Sequence, residues 1–159
     1  MRVSDLKWEE LLGREFSLGT TDCYGLVRDF FSLNFDLTLT NYARPTDWWN
    51  HDLDLYSKYF YDEGFRVLDV HPSDWQAGDC FLMAIRARVS NHAAVLLPGG
   101  KILHHFLGRR STAEDYRGVW RNTTTAVLRH KDVIITPSEA NTDLRSILPH
   151  ALRQKLSGQ

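Results

Sequence analysis

Cys23 stands directly after Gly19-Thr20-Thr21-Asp22, a turn-forming stretch with helix-capping side chains, and directly before apolar residues at helical spacing. A thiol reacts as its thiolate, and the partial positive charge and free N–H groups of a helix's first turn stabilise that anion. Position alone fits a small buried hydrophobe at a helix start equally well. A nucleophilic cysteine also needs a base within hydrogen-bond reach and a third polar group that orients the base. Of the seven histidines, His92 and the adjacent His104 and His105 lie in strand-like surroundings, whereas His51, His71, His130 and His150 read as surface residues in loop-like or charged stretches. If Pro98-Gly99-Gly100 closes a three-residue hairpin loop, Leu97 pairs with Lys101, Ala94 with His104, and His92 becomes a diagonal neighbour of His104 on one face. A loop one residue longer or shorter would bring His105 there instead, so periodicity leaves both eligible. Adjacent strand histidines point to opposite faces and no nearby carboxylate or cysteine completes a ligand set, so neither a metal nor another cofactor is expected. Cys80, inside the apolar run Cys80-Phe81-Leu82-Met83, reads as packing.

The elements that must position these residues follow from periodicity. Residues 3–12 predict a short first helix with Ser4 as N-cap and Gly13 as its stop, and Cys23, Leu26, Val27, Phe30 and Phe31 share one face of a second helix. Residues 41–64 are aromatic and acidic and predict a helical insertion. Strand-like patterns follow at 65–70, 79–87, 92–97 and 101–107, with further strands expected at 119–120 and 125–129. The order predicts an α+β fold, N-terminal helices packed on an antiparallel sheet, in one domain over 1–135. From 136 to 159 a tail carries Leu144, Ile147, Leu148, Leu152 and Leu156 in a helix-like pattern broken by Pro149, which suits docking.

Composition bounds the function. The 159 residues are 43% hydrophobic and 25% charged, enough for one core without disulfides or a structural metal. Nineteen basic against twenty acidic residues leave a net charge of −1, so no global field favours nucleic acid or an anionic membrane. No apolar run is long enough to insert into a bilayer, and Met1 to Glu10 does not read as a signal peptide, so a soluble product not exported by that route is expected. The charge is uneven, with five acids in 41–64 and seven basic residues in 101–132, which suits contacts with neighbours in an assembly as well as two solvated faces.

Three segments together resemble the NlpC/P60 family of papain-like cysteine peptidases, of the type found in tail-tip assembly proteins of lambda-like long-tailed phages. Gly13-Arg14-Glu15-Phe16 through Thr21-Asp22-Cys23-Tyr24-Gly25-Leu26-Val27-Arg28 is similar to the family's nucleophile motif. Gln76-Ala77-Gly78-Asp79 is similar to the turn that leads into the sheet, and Asn91-His92-Ala93-Ala94-Val95-Leu96-Leu97 through His104-His105 to the base-bearing hairpin. The resemblance covers about Leu11 to His130. It implies the papain-like NlpC/P60 fold, with Cys23 as nucleophile, His92 as general base and His104 as the orienting third residue. It further implies Asp22, Phe16 and Tyr24 at the substrate, Asp22 holding a stem-peptide amine, and Phe16 where bacterial relatives place a tyrosine hydroxyl at the oxyanion site. The function so implied is a phage tail-tip cysteine endopeptidase that cleaves peptidoglycan stem peptides during infection or tail assembly. Such a protein would be made in the host cytoplasm, carried at the virion tail tip beside other tail-tip or baseplate proteins, and would act at the host wall. The alternatives are a structural tail-tip component with a weak or silent site and a thiol acyltransferase or amidase on the same fold. If the site is active in the simplest way, Cys23 and His92 form a thiolate–imidazolium pair, and iodoacetamide alkylates Cys23 rapidly at pH 6.

Overall fold

The computed structural model describes residues 1–136; the docking tail expected over 136–159, Thr136 apart, lies outside them. Among the described residues, contacts divide the chain into a main unit, Lys7–Val133, and a small unit that joins Met1–Leu6 to residues 134–136. In the small unit Arg2 and Thr136 form a parallel bridge, with the Val3 N–H donating to the Thr136 carbonyl at 3.1 Å.

The main unit is α+β. Helix α1, Cys23–Phe35, begins at Asp22, whose carboxylate accepts from the Gly25 N–H at 2.9 Å, and ends at Asp36 in the left-handed conformation, φ 53°. The turn before α1 folds back so closely that a Cβ on Gly25 would sit 2.5 Å from the Thr20 carbonyl oxygen. Glycine is therefore a steric requirement in the helix's first turn. The insertion forms a 3₁₀ turn, Trp48–His51, and helix α2, Leu55–Asp62, whose Tyr56 and Phe60 lie one turn apart and are buried.

Six strands follow: β1 Phe65–Val67, β2 Cys80–Met83, β3 His92–Leu97, β4 Lys101–His104, β5 Thr112–Asp115 and β6 Thr124–His130, with a short helix α3, Val119–Asn122, before the last. They form one sheet in the order β1-β6-β2-β3-β4-β5, every neighbouring pair antiparallel. Helix α1 packs on β3 and β4. Phe31, Phe60, Phe65 and His130 form an edge-to-face seam joining α1, α2 and the β1–β6 margin. Phe81, Met83, Ala94, Ile102, Val127 and Trp120 form a second apolar cluster.

Four local expectations differ from the structure. Residues 3–12 form two 3₁₀ turns, Val3–Asp5 and Glu9–Leu11, in place of one helix; Leu6 leaves the first turn in extended backbone, so the helical spacing is never used. Val119–Trp120 belongs to α3 and not to a strand, because Gly118 at φ 61° turns the chain into a helical turn over Trp120. β5 has no alternating apolar pattern and is half-buried. His130 is buried and not a surface residue: it is 4% exposed, accepts from the Asp132 N–H on Nδ1 and directs Nε2 to the Glu63 carbonyl at 2.8 Å.

Candidate active site

The hairpin register follows the three-residue loop. Leu97 pairs with Lys101 and Ala94 with His104, so His92 and His104 are diagonal neighbours, and His92 Nε2 lies 2.8 Å from His104 Nδ1. His104 Nε2 faces Glu114 Oε2 of β5 at 3.6 Å. Glu114 in turn accepts from the Arg109 guanidinium at 3.0 Å and from the Trp120 indole N–H. The three side chains step diagonally across β3, β4 and β5.

A cavity of about 540 Å³ opens between this end of the sheet and the start of α1; Cys23, His92 and His105 line it. Its walls are aromatic, with Phe16, Trp48, Trp49, Phe106 and Trp120, and Arg86 and Arg109 bring positive charge to it. His92 spends Nε2 on His104, which leaves Nδ1 as its remaining ring nitrogen. His105, fully buried, lies past the end of β4 and stacks edge-to-face on Phe16 at 5.2 Å; neither of its ring nitrogens makes a well-formed hydrogen bond.

Two residues of the insertion complete the surroundings of Cys23. Tyr56 places its hydroxyl 3.1 Å from Cys23 Sγ, both groups buried. Arg44 grips the Asp22 carboxylate with Nε at 2.6 Å and Nη2 at 3.1 Å, the two side chains 0% and 1% exposed. The sequence singles out neither of them, nor Glu114; their only signal is chemical type, since nothing local ties Arg44 or Tyr56 to a cysteine more than twenty residues away.

Of the residues expected at the substrate, Asp22 and Phe16 line the cavity and Tyr24 does not. Asp22 is fully buried, and besides Arg44 it accepts from the Gly19 and Gly25 N–H groups, so a substrate amine would have to displace Arg44 to reach it. Tyr24 follows Cys23 by about 100° around the helix and points into the protein. Its hydroxyl donates to the Thr40 carbonyl at 2.8 Å, and its ring lies 5.0 Å from the Arg44 guanidinium carbon.

Electrostatics reverse the ion-pair expectation. Burial, reinforced by the adjacent Asp22 charge, pushes the Cys23 thiol up to about 11, against the smaller opposing effects of the Tyr56 hydroxyl, the Ala93 backbone and Arg44. Burial and the neighbouring His104, His105 and Arg109 hold His92 well below the usual imidazole range. Burial takes His104 down to about 4, partly offset by Glu114, and lowers His105 as well. Loss of solvation is the leading effect on both groups and favours the thiol and the neutral imidazole, so Cys23 should react with iodoacetamide at pH 6 slowly, at no more than the rate of a free thiol. A related prediction concerns stability. The three imidazoles have folded pKa values below the unfolded value of 6.5, so their contribution is complete above that pH and is lost as the pH falls toward about 4, where the unfolded chain takes up protons that the fold excludes. Thermal melts should show Tm falling by several degrees from pH 7 to pH 4.5, with a shallower fall in His104→Gln.

Residues 13–129 match the NlpC/P60 family. The chain is 38% identical over 125 residues to the tail tip assembly protein K of Escherichia phage N15, covering 77% of this chain and 50% of that one. It is 35% identical over 121 residues to the tail tip assembly protein K of Escherichia phage lambda, covering 76% and 59%. The chain thus spans between half and three fifths of the length of these curated relatives. A lipoprotein-like member of the NLP/P60 family from Staphylococcus aureus superposes with a TM-score of 0.55 at 17% identity, over 80% of this chain and 40% of that one.

Proposed function

The chain belongs to the NlpC/P60 family, and from that footing we propose that it is a phage tail-tip component whose NlpC/P60 domain is a cysteine endopeptidase acting on peptidoglycan stem peptides. The observation that carries the reading is the joint lining of one cavity by Cys23 at a helix start and by His92, held at 2.8 Å on His104. In this reading His92 Nδ1 takes the Cys23 proton as Sγ attacks the scissile carbonyl carbon. The tetrahedral oxyanion collapses to a thioester as His92 returns the proton to the leaving amine, and water then releases the acid. The Cys23 N–H and the Tyr56 hydroxyl donate to the oxyanion. The hydroxyl that Phe16 lacks is thus supplied by the insertion. The neutral resting pair fits concerted proton transfer, with charge separating only as substrate binds. Asp22 serves chiefly to start α1, and the cationic, aromatic cavity suits an acyl segment with a carboxylate.

Purified protein incubated with sacculi or defined stem peptides should release new amino termini, and Cys23→Ala should release none. Cleavage undiminished in Cys23→Ala would overturn this chemistry.

A second reading is favoured by one specific observation. Cys23 is 5% exposed and its thiol is held by Tyr56, as suits a tail-tip scaffold with a silent site. Phage carrying Cys23→Ala separates the two: normal tails with impaired entry through an intact wall mark the enzyme, whereas normal tails with normal infection mark the scaffold.

A further inference from the structure

We propose that Glu114 is a positioning residue that selects the tautomer of His104 and, through it, the tautomer of His92; the catalytic consequence rests on the endopeptidase reading above. His104 Nε2 is fully buried and makes no hydrogen bond within normal range among the described residues, yet it faces Glu114 Oε2 at 3.6 Å. Burying a polar nitrogen with nothing to meet it is costly. A hydrogen on Nε2 points at a carboxylate, whereas a lone pair there meets negative charge.

The carboxylate is held for this purpose from two sides. Arg109 donates to Oε2 at 3.0 Å and the Trp120 indole N–H to Oε1, while the Trp120 ring lies edge-to-face on His104 with centroids 4.5 Å apart. Glu114 sits across β4 from Ile102, two residues from the Thr112 that pairs with His104, so the sheet's own pleat aims it.

Once His104 carries its hydrogen on Nε2, its Nδ1 can only accept, and its partner at 2.8 Å, His92 Nε2, must donate. His92 Nδ1 is then a lone pair, the form a general base requires. With the opposite choice His104 donates, His92 carries its hydrogen on Nδ1, and the ring cannot take a proton from Cys23.

Long-range proton–nitrogen spectra of histidine-labelled protein at pH 7.5 read the tautomers without any substrate. In the wild type His104 and His92 should both be protonated on Nε2. In Glu114→Ala the His104 ratio should shift about tenfold toward Nδ1–H, which corresponds to about 1.4 kcal/mol, and Glu114→Gln, which keeps an acceptor, should restore it. On stem peptides Glu114→Ala should lower kcat about tenfold with KM little changed. Wild-type His104 protonated on Nδ1 would overturn the proposal whether or not any variant folds, as would a natively folded Glu114→Ala with an unchanged ratio. Absence of Cys23-dependent turnover would remove the endopeptidase reading alone, since the tautomer measurement still decides the role of Glu114.

Discussion

Tyr56→Phe is expected, if the chain is the proposed endopeptidase, to lower kcat on stem peptides by about 10²- to 10³-fold, the usual cost of one oxyanion donor, with little loss of stability. The ring stays packed between Trp48 and Phe60; only the hydroxyl at 3.1 Å from Cys23 Sγ is removed. An oxygen on a carbon newly bonded to Sγ falls within hydrogen-bond reach of a group in that position, whereas a ground-state carbonyl before attack need not. The loss should therefore appear in kcat and leave KM near the wild-type value. The measurement is steady-state cleavage of a defined peptide by folded variant. Unchanged kcat would leave the Cys23 N–H as the donor that matters and would reduce Tyr56 to packing.

The second large effect concerns stability. Arg44→Met should destabilise the domain by about 3–5 kcal/mol, because it leaves the Asp22 carboxylate buried without its counter-charge. The two side chains are buried against each other, and Arg44 also donates to the Tyr42 carbonyl at 2.7 Å, so the replacement removes the counter-charge and a further buried hydrogen bond together. Double replacement, Arg44→Met with Asp22→Asn, should recover part of the loss, since asparagine still caps α1 without carrying charge. Denaturant melts of the three variants give the answer. A cost below 1 kcal/mol for Arg44→Met would mean that water reaches Asp22.

What the chain discloses beforehand depends on how far apart the cooperating residues lie. The His92–His104 pairing could be read as one of two options because Pro98-Gly99-Gly100 sets a short loop, and strand alternation did the rest. α1 was legible from its cap and its apolar face. Arg44 and Tyr56 were hidden, because their role depends on how a 24-residue aromatic insertion folds back over a distant helix start. β5 escaped notice because its four residues, Thr112 to Asp115, are polar or small, and with it went Glu114. The charge state of Cys23 is not legible for a different reason: the helix terminus is visible in sequence, whereas the burial that pushes the thiol upward is a property of the assembled fold.

The diagonal ladder of His92, His104 and Glu114 also has a kinetic meaning. Its members are twelve and ten residues apart, joined by consecutive hairpins whose closure costs little chain entropy. Cys23 lies 69 positions before His92, and it arrives only when α1 packs on β3 and β4. The His92–His104–Glu114 half of the site should therefore form early and locally, with the Cys23 thiol joining it in a later step that closes a long loop. In pulse-labelled hydrogen exchange during refolding, amides of β3 and β4 should gain protection before those of the first turn of α1, leaving a refolding species with His92 and His104 already paired and Cys23 still in water.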